Sequence, residues 1–216
     1  MNNFDNIYWE TYYQTHIHDI YSSFAQFVYE KYIKTLNQSQ IFLNICDLGA
    51  GNCRDSIYLW KNGNKCKAID INGVLDIDNK DQNCQLIKED AEKSLQSLQF
   101  QETDIMYMRW FLHTLPYEKS ANIFNLAVKN LKQNGLICIE VRSLNDEELK
   151  DRSVYNKIDN SYETTHKRWL YTVDMCKTLA DKNNCHVLYC DEDFYSKDLN
   201  RETQNPLLIR FICKKL

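Results

Sequence analysis

Short apolar runs and amphipathic stretches alternate along most of this chain. The runs at 41–46, 65–69, 85–88, 104–108 and 136–141 are four to six residues long, the length of buried strands rather than helices. Helical spacing falls around and between them. Ser22 and Ser23 can cap a helix that sets Phe24, Phe27, Val28 and Leu36 on one face. A helix is predicted from about 54 to 60. Another is predicted over 117–132, where Ala121, Phe124, Val128 and Leu131 share a face and Asn134-Gly135 supplies the stop. Asp174 is placed to cap a later helix through Met175, Leu179 and Ala180, and strands at 187–190 and 207–213 follow.

Strands that alternate with helices predict an α/β fold, a Rossmann-like doubly wound sheet of seven mostly parallel strands. The last two strands have no helix between them and are expected as an antiparallel edge hairpin. One domain over 1–216 is expected, without repeats or a low-complexity linker. It comprises an N-terminal helical lid (1–40), a ligand-binding core (41–142), a loop or lid insertion (143–172), and a C-terminal helix with the edge hairpin (173–216). Within the insertion, 145–165 is polar and aperiodic, which predicts a long loop over the site.

A formal charge of −4 and an isoelectric point near 5.8 argue against a nucleic-acid partner. A small anionic ligand needs only two or three local cations. No apolar run reaches the ~20 residues of a membrane span, and the N-terminus lacks a signal-peptide core, so a cytoplasmic protein without a membrane partner is expected. Nine cysteines include no Cys-x-x-Cys pair, and Cys46, Cys66, Cys138, Cys190 and Cys213 lie in or beside apolar runs. Buried free thiols explain them better than a metal site, and no metal is expected.

Ligands of such sheets bind at the carboxyl ends of the strands. The first strand ends in Asp47-Leu48-Gly49-Ala50-Gly51-Asn52, a turn whose glycines admit a ligand close to the backbone. A dinucleotide fingerprint would need a small residue at Arg54, and Asp47 would repel a pyrophosphate but attract an ammonium group. With Asp47, Gly49 and Gly51, the chain resembles the class I S-adenosylmethionine-dependent methyltransferases. Cys53 replaces the third glycine of their first motif. The resemblance implies that Asp47, Gly49, Gly51 and Asn52 hold the methionine end of S-adenosylmethionine. It implies further that Asp70 binds the ribose hydroxyls, that Asp90 meets the adenine amino group, and that Ile71 and Ala91 flank the ring. Arg109, ending the fourth strand, is expected at the same site.

Methyl transfer asks the protein to align an acceptor and exclude water, with a base where the acceptor arrives protonated. His113, after the fourth strand, is the candidate base; the alternative is a structural histidine at a helix start. Tyr8, Trp9, Tyr12, Tyr13 and His16 form an aromatic N-terminus that suits a lid or simple packing on the sheet. Arg142, His166 and Arg168 are candidate anion binders, whereas Lys167 reads as a solvated charge.

The lid, the cations and His113 together resemble phosphoethanolamine N-methyltransferases. That resemblance implies a Tyr/His pair, here Tyr13 or Tyr12 with His113, which positions and deprotonates an amine. Tyr8-Trp9, Ser22-Ser23-Phe24-Ala25 and Asn205-Pro206-Leu207 resemble small bacterial methyltransferases of capsule polysaccharide assembly. The expected reaction is N-methylation of a phosphorylated amine such as ethanolamine phosphate, with S-adenosylhomocysteine as the second product. O-methylation of a sugar or glycan-linked phosphate is the alternative, and a non-catalytic cofactor-binding subunit a second. An oxidoreductase using NAD ranks below these because the fingerprint fits badly.

Overall fold

A computed structural model of the protein describes residues 8–9, 11–13, 20–37, 42–75, 82–97, 102–195 and 206–216. Its main sheet has seven strands in the order β3-β2-β1-β4-β5-β10-β9. These are β1 (Asn44–Leu48), β2 (Lys65–Ile69), β3 (Cys84–Ile87), β4 (Thr103–Arg109), β5 (Leu131–Arg142), β9 (Cys185–Asp193) and β10 (Leu208–Lys215). The first five are mutually parallel, and β10 runs antiparallel to both β5 and β9. The expected hairpin is therefore present, with β10 inserted between β5 and the edge strand β9.

Side-chain alternation sorts the core onto two faces. From β4 and β5, Ile105, Tyr107, Leu136 and Cys138 turn to the face covered by α1 (Ser23–Val28) and α2 (Arg54–Lys61). Met106, Met108, Ile137 and Ile139 turn to the other face, under α3 (Ala91–Gln96), α4 (Tyr117–Asn130) and α6 (Val173–Lys182). Helix α1 continues through a π-helical stretch, Tyr29–Ile33, into Lys34–Asn37. Its N-cap is Ser22, as expected. The Ser22 N–H and hydroxyl each donate to the buried Asp55 carboxylate at 2.7 Å, and the Tyr107 hydroxyl donates to it at 2.8 Å, so α1, α2 and β4 meet on one acid. All nine cysteines are free thiols, eight of them buried.

Three expectations change. Helix α4 ends at Asn130, before the Asn134-Gly135 stop, because Leu131 already adopts extended backbone and pairs with Thr103 as the start of β5. The predicted loop at 145–165 instead holds α5 (Glu147–Asp151) and a small antiparallel sheet of β6 (Val154–Asn156), β7 (Ser161–Glu163) and β8 (Lys167–Arg168). The cap of α6 is Thr172, whose side chain accepts from the Met175 N–H, while Asp174 lies inside the first turn. Among the described residues, no helix is long and apolar enough to cross a membrane.

Candidate active site

A pocket open to solvent lies at the carboxyl ends of β1, β2, β3 and β4. Its floor is the turn after β1. The Gly49 and Ala50 N–H groups donate to the Ile69 carbonyl, which folds the turn back against β2. Gly49, Gly51 and Cys53 all take left-handed backbone, with φ of 73°, 56° and 57°. A Cβ on Gly49 would lie 2.5 Å from the Phe111 ring, and one on Gly51 would lie 2.7 Å from the Tyr13 ring. Both glycines are thus required by close approach as well as by conformation.

Asp70 ends β2 and faces the pocket. One carboxylate oxygen accepts from the Gly51 N–H at 2.9 Å and the other from the Asn72 N–H at 2.8 Å, each keeping a lone pair for a hydroxyl. Burial raises its pKa, against the pull of those two N–H groups. Asp90 caps α3 through the Glu92 and Lys93 N–H groups and pairs with Lys119 at 3.2 Å. Although partial burial acts to raise its pKa, those N–H groups and Lys119 hold it below the ordinary carboxylate value. Ile71 and Ala91 also line the pocket. Asn52 is not among the lining residues; its side-chain oxygen accepts from the Arg54 N–H at 3.5 Å. Trp9 and Tyr13 of the N-terminal helical segment form another wall, while His16 lies outside the described residues.

Four predicted site residues are placed differently. Asp47 is 3 % exposed and turns behind the loop to accept from the Ser56 hydroxyl at 2.6 Å; burial pushes its pKa up to about 8. Arg109 turns away from the pocket to pair with the buried Glu140 at 3.1 Å. His113 is buried outside the pocket lining, and its Nδ1 accepts from the Arg142 backbone N–H at 3.1 Å. The ring proton therefore sits on Nε2, leaving no lone pair there to take a proton. Burial, with Arg142, Arg168, His166 and Arg109 nearby, lowers its pKa well below the usual value. Arg142 is also buried and pairs with Asp146 at 3.2 Å.

The aromatic segment meets the basic residues beside the pocket. His166 packs against Tyr8 and Trp9, with ring centroids 4.8 and 4.7 Å apart, and Tyr12 stacks on Tyr8 at 6.0 Å. Burial lowers the His166 pKa to about 3, with Arg168 and Arg142 adding to the effect. Arg168 donates to the Thr164 hydroxyl at 2.6 Å. No carboxylate lies in ion-pair distance of it among the described residues, and burial together with Arg142 lowers its pKa to about 10. Lys167 pairs with Asp159 and plays no part in this cluster.

Sequence reading gave no individual site role to Trp110, Phe111, Thr114 and Leu115, which line the pocket, or to the buried Glu140. Their position just after the fourth strand was the available signal.

The comparisons agree with this geometry. Residues 46–139 match the family model described as a methyltransferase domain. No curated protein matches the chain. Among solved structures, an S-adenosylmethionine-dependent methyltransferase from Anabaena variabilis is similar, at 14 % identity and a TM-score of 0.65 over 100 % of this chain and 96 % of that one. One from Methanosarcina mazei aligns at 19 % identity and a TM-score of 0.62, over 86 % and 98 %. The 1,6-didemethyltoxoflavin-N1-methyltransferase of Burkholderia thailandensis, solved with 1,6-didemethyltoxoflavin and S-adenosylhomocysteine, aligns at 11 % identity and 0.63, over 89 % and 76 %. The fold is that of the class I methyltransferases. Within that fold, residues 46–139 carry the match to a methyltransferase domain.

Proposed function

We propose that the protein N-methylates a small phosphorylated amine such as ethanolamine phosphate. The observation that carries this reading is the cluster of Arg142 and Arg168 behind Tyr8 and Trp9. Arg142 is buried and lies near enough to lower the pKa of the half-buried Arg168, and Asp146 pairs with Arg142 alone of the two. A phosphate between the two arginines would relieve their repulsion and accept bidentate hydrogen bonds.

The pocket fits the cofactor by its own chemistry. Gly49 and Gly51 leave the floor free of side chains, Asp70 offers two acceptor oxygens for a diol, and Asp90 can accept from an exocyclic amine between Ile71 and Ala91. When bound, S-adenosylmethionine supplies an electrophilic methyl group. Trp9 and Tyr13 exclude water from the same space. Tyr13 stays a neutral phenol because burial and then Asp70 raise its pKa, so its role is to position rather than to remove a proton. His113 is likewise a neutral donor. The arginines themselves favour a neutral amine over an ammonium ion, so the acceptor binds already deprotonated.

The test is S-adenosylhomocysteine release with ethanolamine phosphate, with ethanolamine, and without acceptor. Release that needs the phosphate, with a product one methyl heavier, is expected. Arg168→Gln should raise the KM for ethanolamine phosphate at least about tenfold, the loss of one charge-assisted pair. No release with ethanolamine phosphate, but release with a sugar phosphate, would move the reading to O-methylation.

A further inference from the structure

We infer that Trp110 is a specificity-determining wall between the cofactor pocket and the arginine cluster, and that Glu140 is the positioning residue that holds it. The inference rests on the reading that the acceptor lies beside that cluster. Trp110 lines the pocket, yet its backbone is left-handed, with φ of 56°. That conformation is unfavourable for a bulky residue and persists only where surroundings impose it. Here the surroundings are one carboxylate. Glu140, 1 % exposed, accepts from the Trp110 indole N–H at 3.0 Å. The same oxygen accepts from Arg109 at 3.1 Å, and the other from Arg210 at 2.8 Å. Its backbone carbonyl accepts from the Trp110 N–H at 2.9 Å. Both ends of Trp110 are therefore fixed by one residue of the next strand.

The ring then stands among cations. The Arg109 guanidinium lies 4.6 Å from its centroid and that of Arg142 lies 5.6 Å away. Its π-system is already engaged by these groups, so the indole is a poor cage for a methylated ammonium. What it offers instead is a rigid apolar surface that sets how far an acceptor can reach from the arginines toward the methyl group. Strain stored in a wall residue, held by a buried ion-pair network, is the arrangement expected of a positioning device rather than of simple packing.

Trp110→Phe, Trp110→Ala, Trp110→Gly and Glu140→Gln separate the two. Trp110→Phe keeps an aromatic ring but loses the indole N–H together with the five-membered ring that carries it. It should lower kcat/KM for ethanolamine phosphate at least about tenfold, with S-adenosylhomocysteine affinity and melting temperature close to the parent. Glu140→Gln should show the same kinetic loss. Trp110→Gly should melt no lower than Trp110→Ala, since only glycine accepts the left-handed backbone freely. A Phe variant with unchanged kinetics would overturn the inference, as would a Gly variant that melts below the Ala variant. If the parent does not turn over ethanolamine phosphate, the acceptor reading fails by itself, and the comparison of Gly with Ala still decides whether Trp110 is strained.

Discussion

Gly49→Ala tests the floor of the pocket most directly. The residue sits at φ 73°, and its new Cβ would lie 2.5 Å from Phe111 Cδ2, 2.6 Å from Cγ and 2.8 Å from Cβ. Left-handed backbone costs a residue with a Cβ about 1–2 kcal/mol. Contact with Phe111 adds about 1–3 kcal/mol of overpacking. The ring cannot simply swing clear, because its own Cβ is among the atoms struck. The sum is about 2–5 kcal/mol, or roughly 4–20 °C in melting temperature for a chain of this size. Urea unfolding of the parent, Gly49→Ala, Phe111→Ala and the double variant would read the two parts separately. Removing Phe111 should abolish the overpacking and leave the backbone part, a coupling of about 1–3 kcal/mol. Strictly additive effects would refute the close approach, and a stable Gly49→Ala protein would refute both parts.

Other predictions follow from the same geometry. Asp70→Ala strands the Gly51 and Asn72 N–H groups and removes the pocket's diol acceptor, so S-adenosylhomocysteine affinity should fall at least about tenfold by calorimetry; unchanged affinity would remove Asp70 from the site. His113 and His166 have depressed pKa values, so the unfolded chain binds more protons below about pH 6.5, and stability should be lost as pH falls from there toward about 3; His166→Gln should flatten this acid limb. Asp47 has the opposite sign. Raised from 3.8 to about 8, it keeps its proton in the fold and loses it in the unfolded chain, so its contribution to stability should decline as pH rises from about 4 to about 8; Asp47→Asn should remove that decline. A limb unchanged in either variant would show that the named group does not govern it.

The sheet was legible because strand burial is written in short apolar runs. The run at 65–69 is the strand β2 itself, and the acids at the ends of β2 and β3 open into the pocket as read. Asp47 was misplaced although the pattern held the answer. It shares a strand face with Ile45, which packs under α1 and α2, so its carboxylate is carried toward Ser56 and away from the pocket. The end of α4 was misread because a local stop signal yielded to pairing with a strand distant in sequence. The small sheet after β5 left little trace in periodicity, since Val154 and Ile158 are 75 % and 95 % exposed and bury no regular face. Glu140 was given no role from sequence. Its partners, Arg109 and Arg210, lie in other strands, and only the folded chain brings them together.

Arg210 gives that arrangement a bearing on synthesis. It sits in β10, directly opposite Glu140 on β5, and β10 is the last strand in chain order. While the chain is being made, every residue that lines the pocket leaves the ribosome before Arg210 does. Until then, Glu140 has one guanidinium instead of two, and β5 is an open edge. A nascent chain can thus carry the whole glycine loop with Asp70 and Asp90 and still lack one of the groups that set Trp110. Competence to bind the cofactor should precede competence to position an acceptor, with the emergence of β10 separating the two.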